Sequence, residues 1–425
     1  MRAEAAPSSP ARIWALGVLL LASLLIGGSS VGGLPTTFIL QLAGLCFLVL
    51  LIPAKHRVRY RRDVLILLGL VGLTFLLQLL PLGWLLAPEV GNAGVEMPRP
   101  LALTVDWNRT LEAFLFVLPV IVFFLVLLRL GMDELNRLLP FFLLGLLLNM
   151  AFALVQFSAS SPIIVGFLPY PTGAGFFANQ NHFAALLFVG IPFVIYQFVI
   201  IKRPLLSLFA IVLMVLVGFA TRSVAGAFLS LFCAAVSFAL IANMPSRLRW
   251  LLIGLATAGA IFLSSNPGNV LEINPDNPLD RTTIRANTIE GIGANMPFGT
   301  GFGTFEIVYP RFEAETDIRS VYINHAHNEY LELLLEGGLP ALALIALYLL
   351  MLARAALRQP HTAMRTAALC GIVFLLIHSF VDYPLRTMGM ALVFAFLNAI
   401  VFSTALPAAR SQSNRSASAV APGQL

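Results

Sequence analysis

The residues of this chain best suited to chemistry are one histidine in a polar run and a few arginines beside apolar ones. His327 stands in Asn324-His325-Ala326-His327-Asn328-Glu329-Tyr330. An imidazole titrates near neutral pH and can take a proton from a hydroxyl. A surface histidine making ordinary hydrogen bonds is the plainer alternative. Arg222, in Ala220-Thr221-Arg222-Ser223, separates two apolar runs. An arginine at membrane depth costs roughly 2.5–3.5 kcal/mol on insertion scales, so such residues tend to face a cavity and bind something. A helix-end arginine reaching the headgroups would look the same. The guanidinium is a planar, permanent cation matched to phosphate oxygens. Arg281 and Arg285 are four apart, share one face of an expected helix, and form either a second clamp or a solvated face.

Other polar groups have bland readings. Asn179, Asn181 and His182 suit helix capping and interface hydrogen bonds. Asp382 and Arg386, four apart beside His378 and Tyr383, read as a structural ion pair. Glu329, Glu332 and Glu336 form a stripe that reads as a solvated face. His325 and His327 do not suggest a metal: two residues apart on a helix they diverge, and no third ligand of suitable spacing follows. Phe298-Gly299-Thr300-Gly301-Phe302-Gly303-Thr304-Phe305 lacks a preceding strand and a βαβ frame. It is therefore expected to be a tight turn leading into a helix rather than a dinucleotide fingerprint.

The elements that must position these residues are membrane helices. Of 425 residues, 59% are apolar and 11% charged, against roughly a quarter charged in soluble domains. Apolar runs recur along the whole chain, each long enough to cross a bilayer as a helix. About twelve spans are expected, near 13–29, 34–53, 64–86, 112–130, 138–157, 183–201, 204–221, 225–243, 250–265, 338–353, 366–384 and 388–406. Alternating them puts eighteen of the 26 Lys/Arg and four of the 20 acids on one side. That positive-inside bias predicts cytoplasmic termini, and it accounts for the basic balance without nucleic acid. The first span resembles a signal peptide, but a second span follows at once and no A-x-A site is present, so an uncleaved helix is expected. Cys46, Cys233 and Cys370 all fall within spans and offer neither a disulfide framework nor metal spacing.

The expected organisation is spans one to nine over 1–264, an outer loop over 265–330, an amphipathic helix with spans ten to twelve over 331–406, and a disordered cytoplasmic tail over 407–425. Segments 87–111 and 158–182 lie on the same face as the loop. Within the loop, Asp280 is expected to cap a helix that Gly291, Gly293 and Pro297 end near Ala294. A second helix is expected to start near Asn324, carry His327 to Glu336, stop at Gly337-Gly338 and feed the tenth span.

Residues 170–400 resemble the O-antigen ligase and O-antigen polymerase superfamily of bacterial envelope glycosyltransferases. The likeness rests on Gly175-Phe176-Phe177-Ala178-Asn179-Gln180-Asn181-His182-Phe183-Ala184, on Thr221-Arg222-Ser223, on Arg281, and on Pro297 to Phe305. Its most specific part is His327-Asn328, nine residues, then Gly338-Leu339-Pro340-Ala341. Ligases carry a glycine where Ala341 stands, and many relatives carry a tryptophan at Arg285. The resemblance implies an all-α, GT-C-like membrane fold of about twelve spans in the bacterial inner membrane, with a periplasmic active site. It implies a donor glycan on undecaprenyl diphosphate, a glycan, lipid or protein acceptor, and neither cofactor nor essential metal. His327 takes the place of the essential histidine, and Arg222 and Arg281 take those of two essential arginines. Arg285, Asn181 and Asn328 are the expected substrate-binding residues. A ligase, a polymerase using another lipid-linked repeat, and a lipid-linked glycan transporter stand as competing readings. The polar groups gather at one face rather than at mid-bilayer, which favours an enzyme.

Overall fold

The computed structural model describes residues 9–51, 60–82, 103–159, 163, 165–201, 204–221, 223–242, 245–251, 254, 281–315 and 323–403. The described residues are helical, without a named strand. The helices are α1 (Pro10–Ile26), α2 (Pro35–Cys46), α3 (Arg62–Leu79), α4 (Trp107–Leu127), the short α5 (Met132–Asn136), α6 (Leu139–Ser158), α7 (Gln180–Ile201), α8 (Pro204–Ala220) and α9 (Val224–Ile241). After them come α10 (Arg281–Ala294), the single turn α11 (Phe305–Val308), α12 (Glu329–Arg358), α13 (Ala363–His378) and α14 (Met388–Phe402). Among the described residues, eleven of the twelve expected spans are occupied by helices. The expected span 250–265, Arg222, the Asp280 cap and the tail 407–425 lie wholly or largely outside them.

Among the described residues, four helical stretches are long and apolar enough to cross a membrane: Arg62–Leu79, Trp107–Leu127, Met132–Ser158 and Glu329–Arg358. Their outer faces stay apolar, with Leu65, Ile66, Leu147 and Leu350 exposed. Such a surface suits a lipid solvent. Pro119 and Pro192 lie inside α4 and α7, as membrane helices tolerate when neighbours re-satisfy the freed carbonyls. The centre of the bundle is α7, packed between α8, α9 and α13, while α14 packs on α1, α4 and α13. Small residues allow the closest approaches. A Cβ on Gly226 would meet the Ala184 methyl at 2.3 Å, and one on Gly389 would meet the Ser23 carbonyl at 2.8 Å.

Several expectations about the loop and its helices need correction. Gly291 does not end α10; it lies buried inside the helix, against Leu335 and Phe312. His327 is not helical: its φ is +48°, and α12 starts at Glu329 with Asn328 as its cap. The Asn328 side-chain oxygen accepts from Tyr330 N and Leu331 N, both at 3.1 Å, which fixes the first turn and ends the preceding loop. The helix does stop at Gly337-Gly338, as expected. It breaks at Gly338 (φ +55°, ψ −147°) and resumes to Arg358.

The break explains the glycine-rich stretch. Pro340 has no N–H to give the Glu336 carbonyl, and the break turns Leu339 N away from the helix. The turn over 297–303 supplies the missing partners. Thr300 N donates to Leu335 O (3.0 Å), Gly301 N to Glu336 O (2.8 Å), and Leu339 N to Pro297 O (2.8 Å). Gln78 of α3 joins them, donating to Glu336 O (2.9 Å) and accepting from Phe302 N (3.0 Å). Gly299, Gly301 and Gly303 all have positive φ. The backbones approach so closely that a Cβ on Gly338 would sit 2.2 Å from Pro297 O. The stretch is thus a turn leading into the short helix α11, as expected, and it braces the start of the tenth span.

Candidate functional site: a buried carboxylate among histidines

Helix α13 ends at His378, and the chain turns through Ser379–Tyr383 before a short 3-10 helix at Pro384–Arg386. Asp382 N and Val381 N still donate to His378 O, so Asp382 hangs just beyond the helix end. Its carboxylate is fully buried. Three elements converge on it. From the first turn of α7, Asn181 Nδ2 donates to Oδ2, and His182 Nε2 lies 3.4 Å from Oδ1. From the first turn of α10, a guanidinium nitrogen of Arg281 lies 3.7 Å from Oδ2. From the loop before α12, His327 Nδ1 lies 3.8 Å from Oδ1. Tyr383 N completes the set at 2.9 Å.

Local chemistry accounts for each position. Asn179 accepts from Asn181 N (2.8 Å) and so turns the chain into α7, placing Asn181 and His182 at its start. Arg281 and Arg285 use their shared face to reach one turn: Arg281 donates to Val381 O (3.0 Å) and Arg285 to Phe380 O (3.4 Å). The left-handed φ of His327 turns its ring inward, and the Asn328 cap holds that turn. The Tyr383 ring fills the middle, with ring centroids 4.8 Å from His182, 4.1 Å from His325 and 5.0 Å from His327.

The electrostatics separate base from anion. Burial lowers His327 to about 4, against a smaller opposing pull from Asp382; Arg281 and His325 lower it further. At neutral pH the imidazole is therefore neutral and able to accept a proton. Burial alone would raise the Asp382 carboxyl, but the close approach of His182, with His378 and His327 nearby, outweighs it and holds the carboxyl below its ordinary range. Several atoms here are buried without an aligned hydrogen-bond partner: His327 Nδ1, both ring nitrogens of His182, and Arg285 Nε. In a folded protein such atoms call for an explanation, and a polar ligand is one.

A second cluster lies across Tyr383. The Arg386 guanidinium reaches Glu329 (3.5 Å), Glu332 (3.4 Å) and Glu336 (3.0 Å). Glu332 also holds His325 Nδ1 at 2.7 Å and accepts from Ala326 N at 2.9 Å. These contacts correct two expectations. The glutamate stripe is not a solvated face, since all three side chains are buried. Asp382 and Arg386 are not an ion pair, because no α-helix joins them and each has other partners.

Of the expected site residues, Arg281, Asn181 and His327 converge on Asp382, and Arg285 reaches the same turn. Asn328 adjoins them but spends its oxygen on the helix cap. Arg222 lies outside the described residues; beside it, Ser223 caps α9 by accepting from Gly226 N at 3.1 Å. Sequence reasoning missed Asp382 as the hub and His182 as its neighbour. The usable signal was the density of His378, Asp382, Tyr383 and Arg386 at one helix end, obscured by reading the last two charges as partners.

The class of molecule is now defined: among the described residues, an all-helical fold with membrane-length apolar helices, carrying histidines, arginines and buried carboxylates where its helices meet. Residues 184–346 match the family model described as O-antigen ligase. The match supports placing this chain with the O-antigen ligase and polymerase superfamily, as the motifs implied. It runs from the second turn of α7 to the middle of α12, including His327, Arg281 and Arg285. No curated protein matches the chain.

Proposed function

We propose that this protein is a metal-independent, inverting glycosyltransferase of the inner membrane. It moves a glycan from undecaprenyl diphosphate to an acceptor hydroxyl at the periplasmic face. The observation that carries the reading is the convergence of His327 and Arg281 on the buried carboxylate of Asp382. The acceptor hydroxyl loses its proton to the His327 ring as its oxygen bonds to the anomeric carbon. The bond from that carbon to the diphosphate oxygen breaks, and the leaving group keeps the electron pair. Arg281, Arg285 and Arg222 stabilise the charge that collects on the diphosphate. Asp382 stabilises the imidazolium that forms, and Asn181 fixes the Asp382 rotamer. This role for Asn181 is a positioning one, not the substrate contact that the sequence suggested. Asn328 acts through the turn that presents His327.

The match to an O-antigen ligase model supports a lipid-linked glycan donor, and the lipid-compatible helix surfaces support a twelve-span, GT-C-like frame. The positive-inside bias supports cytoplasmic termini and a periplasmic site. Ligase and polymerase differ in acceptor, not in this chemistry. The test is purified protein in lipid nanodiscs with an undecaprenyl-diphosphate glycan and candidate acceptors. Wild-type protein should release undecaprenyl diphosphate in step with glycan transfer, without added metal. Transfer by His327→Ala at the wild-type rate would overturn the proposal.

A further inference from the structure

An ionised carboxylate accepts hydrogen bonds and donates none, so a polar group that pairs with Asp382 must point a proton at it. Its two oxygens are used differently. Oδ2 takes the Asn181 amide and faces Arg281 at 3.7 Å. Oδ1 faces two imidazoles, with His182 Nε2 at 3.4 Å and His327 Nδ1 at 3.8 Å. His327 has a part in the proposed reaction; His182 has none. The His182 side chain is only 1% exposed, and its ring stands edge-on to Tyr383. Among the described residues neither of its ring nitrogens has an aligned partner. The backbone fixes its place: His182 N donates to Asn179 O at 3.1 Å as α7 begins. Helix α7 in turn packs along α13, whose end carries Asp382.

Packing against Tyr383 needs only a ring, and a phenylalanine would supply one without burying polar atoms that call for partners. Functional hydrogen bonds are often long in an unliganded site and tighten when substrate arrives. We infer that His182 is a positioning residue for the transfer: its Nε2–H holds Asp382 Oδ1 in place for His327, so that one carboxylate oxygen serves two imidazoles. The inference rests on the transferase reading and deepens it. Asn181 and His182, neighbours in the first turn of α7, then hold one oxygen each. An N–H on Oδ1 draws off part of its negative charge. It helps to keep the carboxyl below its ordinary range despite burial, and it limits how strongly Asp382 draws a proton onto His327. The other groups facing this pair are His378 and Arg281 at Asp382, and Arg281, His325 and Glu332 at His327. His182 itself also faces His378 and Tyr383. With His182 removed and the rest in place, a proton goes more readily to Asp382 or to His327. Either event removes the form in which His327 is a free base beside an ionised Asp382. Loss of His182 therefore moves the acid limb of kcat/KM up, whereas loss of the Asp382 charge moves it down.

Two measurements on the full chain in nanodiscs test this, and the first needs no activity. In wild-type protein isotopically labelled at the nitrogens of its six histidines, with NMR signals assigned by single substitutions, His182 Nε2 should carry a proton. A lone pair at that nitrogen would overturn the inference whether or not the transferase reading holds. The second measurement is the pH profile of transfer. In His182→Phe, and in His182→Leu as a second apolar replacement, the acid limb should rise by about one pH unit, the low end of what a nearby charge does to a pKa. The kcat should fall about 10–100-fold, the usual loss when a partner that orients a functional group is removed, with the donor KM unchanged. His182→Gln, which offers an N–H at similar reach, should return the limb to its wild-type position. In the Asp382→Asn background His182→Phe should move the limb no further, because its effect passes through Asp382. An unmoved limb in both apolar variants, or an equal rise in both backgrounds, would sink the inference. Wild-type transfer by His327→Ala would instead sink the transferase reading and leave the first measurement to decide this one. The first measurement also decides where neither apolar variant is monodisperse.

Discussion

The two charge clusters that meet at Tyr383 are built with opposite polarity. On one side a single carboxylate, Asp382, is surrounded by His182, His327 and Arg281. On the other a single guanidinium, Arg386, is surrounded by three glutamates. The Asp382 side leaves ring nitrogens and Arg285 Nε without aligned partners, whereas the Arg386 side uses most of its polar atoms internally. Glu336 also accepts from Phe305 N, Glu332 from Ala326 N, and Glu329 from Ser379 Oγ. An under-satisfied cluster is disposed to bind and react, and a closed one to hold elements together. Here the closed cluster fastens the first turns of α12 to the chain after α13, and so fixes the loop that carries His327.

The comparison breaks most sharply under two substitutions. Replacing His327 by alanine should lower transfer by about 10²–10⁴-fold, the usual worth of a positioned general base, with the thermal transition unmoved. A comparable rate loss from Glu336→Gln, without loss of folded protein, would erase the distinction between the clusters. Arg386→Leu should act on the fold instead. It strands three buried carboxylates, and removing one partner of a buried ion pair costs about 3–5 kcal/mol. Yield and thermal stability in detergent should fall first, and the residual folded fraction should keep its KM for donor.

A smaller effect is expected at the helix break. Gly338→Ala must place a Cβ 2.2 Å from Pro297 O at φ +55°, and strained backbone positions cost about 1–3 kcal/mol each. The three hydrogen bonds between the 297–303 turn and α12 should loosen. Faster amide exchange at Thr300 and Gly301 would register it, and unchanged exchange would mean that the glycine-rich turn is not a brace.

The residues show why part of this was legible in the sequence and part was not. Hydropathy placed the helices found at eleven of the expected spans among the described residues, because each apolar run is longer than its uncertain ends. The Arg281–Arg285 face was legible because i, i+4 spacing is reliable inside a helix, and α10 is one. The same spacing misled at Asp382 and Arg386, because α13 ends at His378 while the apolar run continues through Phe380 and Val381. Hydropathy does not register that Ser379 and Pro384 bracket a turn. The glutamate stripe was misread for a related reason. Three acids on one helical face look solvated until a distant cation, here Arg386, is brought against them by tertiary structure. The start of α12 at Asn328 rather than near Asn324 was not legible, because it depends on His327 adopting a left-handed backbone.

The finest test asks how the Asp382 cluster tunes His327, using opposite charges as levers. The acid limb of kcat/KM reports the free enzyme's base, and burial holds His327 near 4. The wild-type limb should therefore lie well below the ordinary imidazole value of 6.5, with activity retained as the pH rises from it towards neutrality. Asp382 is a negative charge that favours the imidazolium, so Asp382→Asn should move the limb further down. Arg281 is a positive charge that disfavours it, so Arg281→Gln should move the limb up. Both variants should also lose kcat, one through weaker support of the imidazolium and the other through weaker support of the diphosphate. The opposite signs of the two limb shifts separate a tuned base from general damage, because a merely structural role for either residue would leave the limb in place. If both variants shift it in the same direction, His327 is not the titrating group.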